Sequence, residues 1–491
     1  MSMTRKIVSG AAWSAFETWG RQLALLAVFV ILARHLGPEA FGLATLAMVI
    51  PTILSVPVTR GIPEALIQRD EIEPIHLDSA FWFLAAIGTA LTALIWLSAD
   101  LIGNLFGEPE IAGLVRWGSI VVVVQSLSAV PAAVLKRQLH FRLFALRTLT
   151  GTLTGGTVGI ALAVSGFGMW SLVLMQISRV VVEAATIFLG SKWRPGLRYS
   201  HRRVSELFSF SGPIVLQVFW SLANNEMPKV IIGTFLGPAA VGIYAVARRP
   251  FDLLVDAFIG PLVTVTMPAV ARFQTQPEKI DAFFNATIRT TGVIGIPAFI
   301  GFAAIAPVLV PLVFGEQWAT GVLAVQILML LGLQRTIDGI CANTILALGH
   351  SRLILRFDVV YTFLAGGLML IGAQFGLEAT IAALAIGNFM LLPVFLYSAK
   401  RVAGINVTRP LAIFPKLAAA AAIMFASVML WIAEAPAGIS PEAVLAGGIV
   451  IGAAVYLAIA AVLARRELLD ARDLIVQPLR RMQGLKQGTS P

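Results

Sequence analysis

The chain has 491 residues, of which 58% are hydrophobic and 13% are charged, and its formal net charge is +10. This composition excludes an ordinary soluble protein, in which about 25% of the residues are charged. Apolar runs of about 20 residues, each long enough to cross about 30 Å of hydrocarbon, recur along the whole chain. The sequence therefore predicts an all-α polytopic membrane protein with about fourteen transmembrane helices.

The first six predicted spans are 8–36, 41–67, 77–105, 111–135, 141–165 and 168–190, and they form a predicted N-lobe over residues 1–190. A polar, basic segment at 191–207 is the predicted cytoplasmic linker. Six further spans lie near 208–236, 239–271, 281–305, 320–348, 352–375 and 377–399, and they form a predicted C-lobe over 208–400. Two additional helices follow within 401–463, and 464–491 is a basic cytoplasmic tail.

The positive charge forms no patch typical of nucleic-acid binding, because it lies in short loops on one side of the predicted spans. These positions are Arg5 and Lys6, Arg69, Lys136 to Arg142, Lys192 to Arg203, Arg272 and Lys279, Arg352 and Arg356, Lys400 to Lys416, and Arg465 to Lys486. The loops of the other side, such as Gly103–Glu110 and Gly376–Glu378, contain no Lys or Arg. We therefore expect a multi-pass protein of an inner membrane with both termini in the cytoplasm, surrounded by membrane lipids and without a nucleic-acid partner.

An internal repeat indicates how the spans are arranged. Leu36-Gly37-Pro38 followed by Ala40-x-Gly42 recurs 200 residues later as Leu236-Gly237-Pro238 followed by Ala240-x-Gly242. Three more pairs keep the same order: Phe106-Gly107-Glu108 with Phe314-Gly315-Glu316, His140-x-Arg142 with His350-x-Arg352, and Phe167-Gly168 with Phe375-Gly376. Because each copy has an even number of spans, the pattern predicts two parallel six-helix lobes plus two C-terminal helices. In each motif, Gly suits the end of one helix and Pro the start of the next.

The sequence offers little support for catalysis or for a bound cofactor. Its one cysteine, Cys341, lies in an apolar segment, and its five histidines are scattered without metal-ligand spacing. No Gly-rich phosphate loop of the Gly-x-x-x-x-Gly-Lys-Ser/Thr type occurs, so a nucleotide-driven motor within the chain is not expected. We therefore predict a protein that is not an enzyme and that needs neither a cofactor nor a metal.

Charged residues inside the predicted spans are the main candidates for a site, because each costs about 2.5–3.5 kcal/mol at a helix centre. Many form pairs three or four residues apart, which are Glu17 with Arg21, Arg60 with Glu64, Arg179 with Glu183, Arg248 with Asp252, and Arg335 with Asp338. Two interpretations stay open. Either the two residues of each pair neutralise each other within one helix, or the arginines line a basic central cavity. In the second case, Arg21, Arg60, Arg248 and Arg249 are the candidate ligands of a diphosphate, which suits guanidinium groups. Glu226, Asp252 and Asp256 are the candidate ion-coupling residues.

The stretch Ala12-Trp13-Ser14, Gly20-Arg21-Gln22 and Ile31-Leu32-Ala33-Arg34-x-Leu36-Gly37-Pro38-Glu39-x-Phe41-Gly42-Leu43 resembles the polysaccharide flippases of the multidrug/oligosaccharidyl-lipid/polysaccharide exporter superfamily. The branch concerned acts in exopolysaccharide, colanic-acid-like or O-antigen export. The resemblance implies two lobes that carry an oligosaccharide linked to undecaprenyl diphosphate across the membrane by alternating access. It also implies that arginines of the first, second and eighth helices bind the diphosphate, here Arg21, Arg60 and Arg248 or its neighbour Arg249. A polysaccharide polymerase and a chain-length regulator are candidate partners.

Two alternatives stay open from the sequence. One is a cation-coupled multidrug exporter of the same superfamily, whose cavity is expected to be more acidic and more apolar. The other is a membrane-embedded polysaccharide polymerase or a subunit of the synthesis complex, which is expected to carry a substantial loop on the side of the membrane where the loops here are short.

Overall fold

In the computed structural model, residues 22–436 and 438–465 are described, and they form helices joined by short turns, with no β-strand in these ranges. The predictions for Arg21 and for the tail from residue 466 lie outside the described residues. The chain divides into two compact units between Ala245 and Val246. This division follows contacts and not the repeat, so the predicted lobes at 1–190 and 208–400 stay a prediction.

The first unit consists of hairpins of long antiparallel helices. Its elements are α1 (Gln22–His35), α2 (Pro38–Leu54), α3 (Val56–Thr59), α4 (Ile62–Gln68), α5 (Pro74–Leu105), α6 (Glu110–Gly118), α7 (Ile120–Arg137), α8 (Phe141–Val164), α9 (Trp170–Gly190) and the larger part of α10 (His201–Leu254). The helix α5 packs against α6 and α7, and α8 packs along α9. The segment predicted as a linker is extended up to Ser200 and helical from His201 onward.

The second unit follows the same principle. Its elements after α10 are a π-helical turn (Val255–Ile259), α11 (Gly260–Arg272), α12 (Pro277–Phe314), α13 (Val322–Ala347), α14 (Ser351–Gly372), α15 (Leu377–Ala403), α16 (Thr408–Leu411), α17 (Phe414–Ala433) and α18 (Pro441–Leu463), with 3₁₀ turns at Glu316–Gly321 and Ala373–Phe375. The helix α12 packs against α13 on one side and against α17 and α18 on another. The last two helices therefore cover a face of α12.

Among the described residues, ten helical segments are long and apolar enough to cross a membrane, and the bent pair Pro38–Leu54 with Val56–Gln68 raises that number to eleven. One of the ten, Val215–Arg272, has 58 residues and is interrupted at Gly237, whose φ of 83° is not helical. Large apolar side chains such as Leu97 and Leu189 are more than 80% exposed, as expected of residues that face lipid. The chain is therefore a multi-pass membrane protein, and its count of fourteen spans stays a prediction.

The basic turns gather at one end of each unit. In the first unit, Arg69 and Arg203 both bind Glu206, at 3.2 and 3.5 Å. Desolvation raises the pKa of Glu206, but Arg203 and Arg69 outweigh it and hold this pKa below its ordinary value. In the second unit, the Gln274 side chain donates a hydrogen bond to the Ala347 carbonyl at 2.7 Å, which joins two turns rich in basic neighbours. The charge asymmetry of the sequence is thus also an asymmetry between the two ends of each unit.

The two copies of the repeated motif contact each other inside the first unit. A Cβ atom on Gly42 would lie 2.5 Å from the carbonyl carbon of Pro238, and one on Gly242 would lie 2.8 Å from the carbonyl carbon of Pro38. In both cases the carbonyl oxygen would be nearer still, so only glycine fits. The prediction that proline restarts the helix is confirmed, since Pro38 is the first residue of α2. The reciprocal contact between the copies was not predicted.

Close packing also explains the glycines of α8. A Cβ on Gly155 would lie 2.9 Å from the Met175 carbonyl oxygen, and one on Gly159 would lie 2.9 Å from the Met175 Cβ. The small residues at 151, 155 and 159 therefore allow α8 and α9 to approach closely.

We expect Gly42→Ala and Gly242→Ala each to destabilise the protein by about 1–3 kcal/mol, the usual cost of overpacking, because the new methyl group meets backbone that cannot rotate away. Thermal denaturation of the purified protein in detergent measures this loss. The double variant should lose less than the sum of the single losses, since both changes open one contact.

Gly367→Ala is the matched control, because no atom lies within 4 Å of the added methyl group at this helical position. This variant should be unchanged or slightly more stable. Equal melting temperatures for Gly42→Ala and Gly367→Ala would contradict the interpretation of the crossing.

Candidate functional site

Arg60 lies at a break in the second predicted span. The helices α2 and α3–α4 are bent by 49°, and the backbone leaves the helical conformation at Arg60, with φ −123° and ψ 165°. Gly61 follows with φ 82°, a conformation that favours glycine. The Arg60 side chain is 52% exposed and donates to the Glu64 carboxylate at 3.1 Å. The predicted pair is confirmed, and the break leaves its guanidinium accessible.

Glu226 is the most buried of the predicted coupling residues. It lies on α10 with 8% of its surface exposed, and its carboxylate accepts a hydrogen bond from Lys229 Nζ at 2.7 Å. The charge of this carboxylate is therefore already balanced within its own helix. Glu226 and the predicted residues near 250 lie in different units, so each site is described by itself.

A charged segment lies at the start of the second unit. Arg248 Nε donates to Asp252 at 2.9 Å, and its guanidinium carbon lies 5.0 Å from the centre of the Phe251 ring. Arg249 interacts electrostatically with Asp252 and with Asp256. The structure thus brings together four of the predicted site residues, two basic and two acidic, within three turns of one helix.

A π-helical turn follows directly and contains Asp256. The turn covers Val255–Ile259 and adds a residue to the helix, so the side chains after it face a different direction from those before it. Asp256 is exposed, whereas Phe251 is buried and packs on Phe299 with ring centroids 5.6 Å apart. The aromatic contact anchors the arginine end of the segment, whereas Asp256 at the acidic end is exposed.

A further ion pair joins α8 to α9 in the first unit. Glu183 accepts from Arg147 at 2.7 Å, while the predicted partner Arg179 lies at 3.7 Å. A Cβ on Gly151 would lie 2.5 Å from the Glu183 Cγ, so this glycine provides the space for the carboxylate. Sequence spacing found the pair within α9 and missed Arg147, because residues on different helices share no fixed offset.

Two further features concern charged groups of the second unit. Arg335 and Asp338 on α13 form the predicted pair at 2.8 Å. Arg289 on α12 was missed by the sequence analysis, although it lies within an apolar span. In residues 22–436 and 438–465, no group of three His, Cys, Asp or Glu side chains is placed to hold a metal ion.

Comparison with known proteins identifies the family. A family model described as polysaccharide biosynthesis protein matches residues 31–323, which is more than half of the chain. This chain belongs to that family. The match begins just before the Leu36-Gly37-Pro38 motif and extends through the charged segment at 248–259.

Similar proteins act in the synthesis of several surface polysaccharides. The lipopolysaccharide biosynthesis protein WzxC of Escherichia coli is 28% identical over 76% of this chain and 76% of its own length. The succinoglycan biosynthesis transport protein ExoT of Rhizobium meliloti is 26% identical over 70% of this chain and 68% of its own. A probable low-salt glycan biosynthesis flippase, Agl15 of Haloferax volcanii, is 23% identical over 67% of this chain and 69% of its own. This family member is accordingly a membrane transporter of polysaccharide biosynthesis and not an enzyme.

Solved structures show the fold. The lipid II flippase MurJ in an inward closed conformation matches with a TM-score of 0.75 and 15% identity, over 92% of this chain and 99% of that one. An inward-facing multidrug resistance MATE family transporter of the MOP superfamily matches with a TM-score of 0.63 and 16% identity, over 78% of this chain and 95% of that one. The all-helical fold predicted from the sequence is therefore confirmed for the described residues, and it is similar to the fold of these two transporters.

We expect Glu183→Gln to destabilise the protein by about 1.5–3 kcal/mol, because it removes a charge-assisted hydrogen bond between a mostly buried carboxylate and Arg147 on the neighbouring helix. Thermal denaturation of the purified variant in detergent measures this loss of stability. Glu64→Gln is the control, since the same substitution there affects an exposed pair expected to contribute less than about 1 kcal/mol. Equal losses in the two variants would refute a structural role for the Arg147–Glu183 pair.

Proposed function

We propose that this transporter moves an oligosaccharide repeat unit linked to undecaprenyl diphosphate across an inner membrane, by alternating access, for the synthesis of a surface or exported polysaccharide. The observation that carries the proposal is family membership together with accessible arginines inside the spans. The relatives WzxC and ExoT are named for lipopolysaccharide biosynthesis and for transport in succinoglycan biosynthesis.

Arginine is the residue that suits the diphosphate of such a cargo. A guanidinium donates two parallel hydrogen bonds to phosphate oxygens and stays charged inside a membrane. Arg60 is suited to this role because the helix break exposes its side chain, and Glu64 holds only one of its nitrogen atoms at 3.1 Å. Arg248 and Arg249 are the candidates in the second unit, and Arg21 remains a candidate outside the described residues.

The acidic residues are candidates for ion coupling, and they differ in access. Glu226 is buried and accepts from Lys229 at 2.7 Å, so uptake of a proton by Glu226 would leave the partly buried Lys229 ammonium group without its counter-charge. Asp256 lies in the π-turn and is exposed, and Asp252 is about half exposed. Asp252 and Asp256 are therefore better candidates for ion coupling than Glu226.

The repeated motif supports alternating access. Gly42 lies near the start of α2, and the chain reaches the basic turn at Arg69 after α4, so the crossing with Gly242 lies at the end opposite to the basic turns. With the basic end in the cytoplasm, this contact holds the two copies of the motif together on the outer side. Exit of a cargo on that side requires the contact to open.

The proposed topology has fourteen spans and both termini in the cytoplasm. A C-terminal green fluorescent protein should then fluoresce, and alkaline phosphatase inserted after Gly376 or Gly166 should be active. The same enzyme inserted after Gly349 should be inactive, which is the matched control, because all three glycines lie in turns with positive φ. Activity at Gly349 would overturn the orientation.

We expect Arg60→Gln and Arg248→Gln each to lower transport at least tenfold, because each removes a charged donor to phosphate. The assay measures protection of a fluorescent lipid-linked oligosaccharide from a membrane-impermeant quencher in proteoliposomes that contain the purified variant. In the native host, the same variants should fail to restore polysaccharide export to a deletion strain.

Arg198→Gln is the control for these variants, since it removes one exposed arginine from the extended connection after α9. Full export with Arg60→Gln and Arg248→Gln would remove both residues from the site. Normal polysaccharide in the deletion strain, combined with new sensitivity to drugs, would favour the multidrug-exporter alternative. A polymerase and a chain-length regulator are proposed partners, which co-purification from the native membrane tests.

A further inference from the structure

The helix α12 is longer than a membrane crossing requires. Its 38 residues extend over about 57 Å, whereas the hydrocarbon layer is about 30 Å thick. The helix α17 begins at Phe414 and has 20 residues, the length of one crossing. A Cβ on Gly292 would lie 3.3 Å from the Phe414 ring, so the two helices meet where α17 starts. The hydrocarbon therefore begins near Gly292, and the residues one turn earlier lie at headgroup depth.

One face of this part of α12 points toward the last helices. Asp281 accepts a hydrogen bond from the Asn406 backbone N–H at 2.6 Å, and the Tyr456 hydroxyl donates to the Val293 carbonyl at 3.3 Å. Asn285 and Arg289 lie four and eight residues after Asp281, so they share its helix face. This face, which we call the α12 stripe (281, 285, 289 and 292–293), is turned toward α16, α17 and α18.

Two polar atoms of the α12 stripe are buried without a partner. They are the Nε of Arg289 and the Oδ1 of Asn285. Among the described residues, the ion pairs do not include Arg289, whereas the Arg60, Arg147, Arg179, Arg248 and Arg335 side chains each contact a carboxylate. A buried donor or acceptor left unsatisfied costs about 1–3 kcal/mol, and more when it is charged. Arg289 Nε and Asn285 Oδ1 lie one helical turn apart, and both lack a partner among the described residues. This arrangement indicates a ligand with an acceptor for the arginine and a donor for the amide oxygen.

The surroundings select the chemistry of that ligand. Exposed Arg409, Lys416 and Arg465 lie at the same end of the helices that the α12 stripe faces, so the end is basic. Arg289 is itself partly exposed, and apolar side chains of the cluster around Val293 and Leu417 lie on its membrane side. A group that is anionic at headgroup depth and apolar beyond it is a phospholipid.

We propose that the α12 stripe binds the phosphodiester headgroup of a phospholipid in the basic-end leaflet. The phosphate accepts from Arg289, and a headgroup hydroxyl donates to the Asn285 Oδ1. Phosphatidylglycerol has both groups and is the probe of choice. The bound lipid fills the junction between α12 and the two helices that lie outside the repeat. This site is independent of the proposed cargo and lies wholly within the second unit.

Native mass spectrometry of the full chain, titrated with phosphatidylglycerol in detergent, tests the site. We expect Arg289→Gln to weaken retention of the first lipid about tenfold, the loss of one charge-assisted hydrogen bond. Asn285→Ala should weaken it less, and Arg289→Lys should retain part of it. Arg352→Gln is the matched control, because it removes an exposed arginine at the same end of the unit, and it should change retention less than twofold.

Each outcome decides the proposal. Equal retention by Arg289→Gln and Arg352→Gln overturns it, because binding would then reflect only the diffuse charge of that end. A parallel titration with undecaprenyl diphosphate separates the two sources of phosphate: a loss confined to this second ligand assigns Arg289 to the cargo and also overturns the phospholipid site. If Arg289→Gln does not purify as a folded protein, Asn285→Ala and Arg289→Lys decide, and unchanged phosphatidylglycerol retention in both rejects the site.

Discussion

The reciprocal crossing of the two repeated motifs is the constraint on which the first unit depends. Two backbones meet there with no side chain between them, and each motif supplies both the glycine that makes room and the proline carbonyl that occupies it. Van der Waals packing has to hold membrane helices together, because lipid is as apolar as their surfaces, and small residues give the closest packing. The glycines of α8 follow the same rule. The van der Waals attraction between such closely packed atoms is strong, and it is lost when they separate by a small distance. This property suits a contact that opens and closes.

Charged side chains inside the membrane segments follow a second rule: most acidic groups contact a basic group on the same helix or on an adjacent one. Glu183, Glu226, Asp252 and Asp338 each contact a basic group at 2.7–2.9 Å. Such pairs lower the free-energy cost of burying a charge, and they also make each group less available to bind a ligand or a proton. The groups most available for other interactions are those with high exposure or without an ion-pair partner among the described residues. They are the exposed Arg60 at its helix break, the exposed Asp256 in the π-turn, and Arg289 on α12. Function in this protein is therefore to be sought where regular helices are interrupted or where charges lack a neighbour.

Much of the fold and of the ion pairing could be predicted from the sequence alone. Spans, intrahelical ion pairs, the duplication and the family resemblance all depend on local spacing or on offsets along the sequence, and hydrocarbon makes that information dependable because every backbone group must be bonded within its own helix. The pairs Arg60–Glu64, Arg248–Asp252 and Arg335–Asp338 have the partners that their spacing predicts. The basic turns likewise gather at one end of each unit.

What the sequence by itself determined is the membrane class, the helical fold, the local charge pairs and the two-copy pattern. The tertiary structure alone decided that Gly42 and Gly242 receive each other's proline carbonyls, that Glu183 binds Arg147 on a neighbouring helix, and that the stripe with Arg289 is turned toward the last two helices. The physical reason is that contacts within a helix recur at fixed spacings of three and four residues, whereas contacts between helices depend on their relative rotation and depth. A fixed spacing of three or four residues therefore predicts a partner within a helix, whereas only packing decides a partner on another helix.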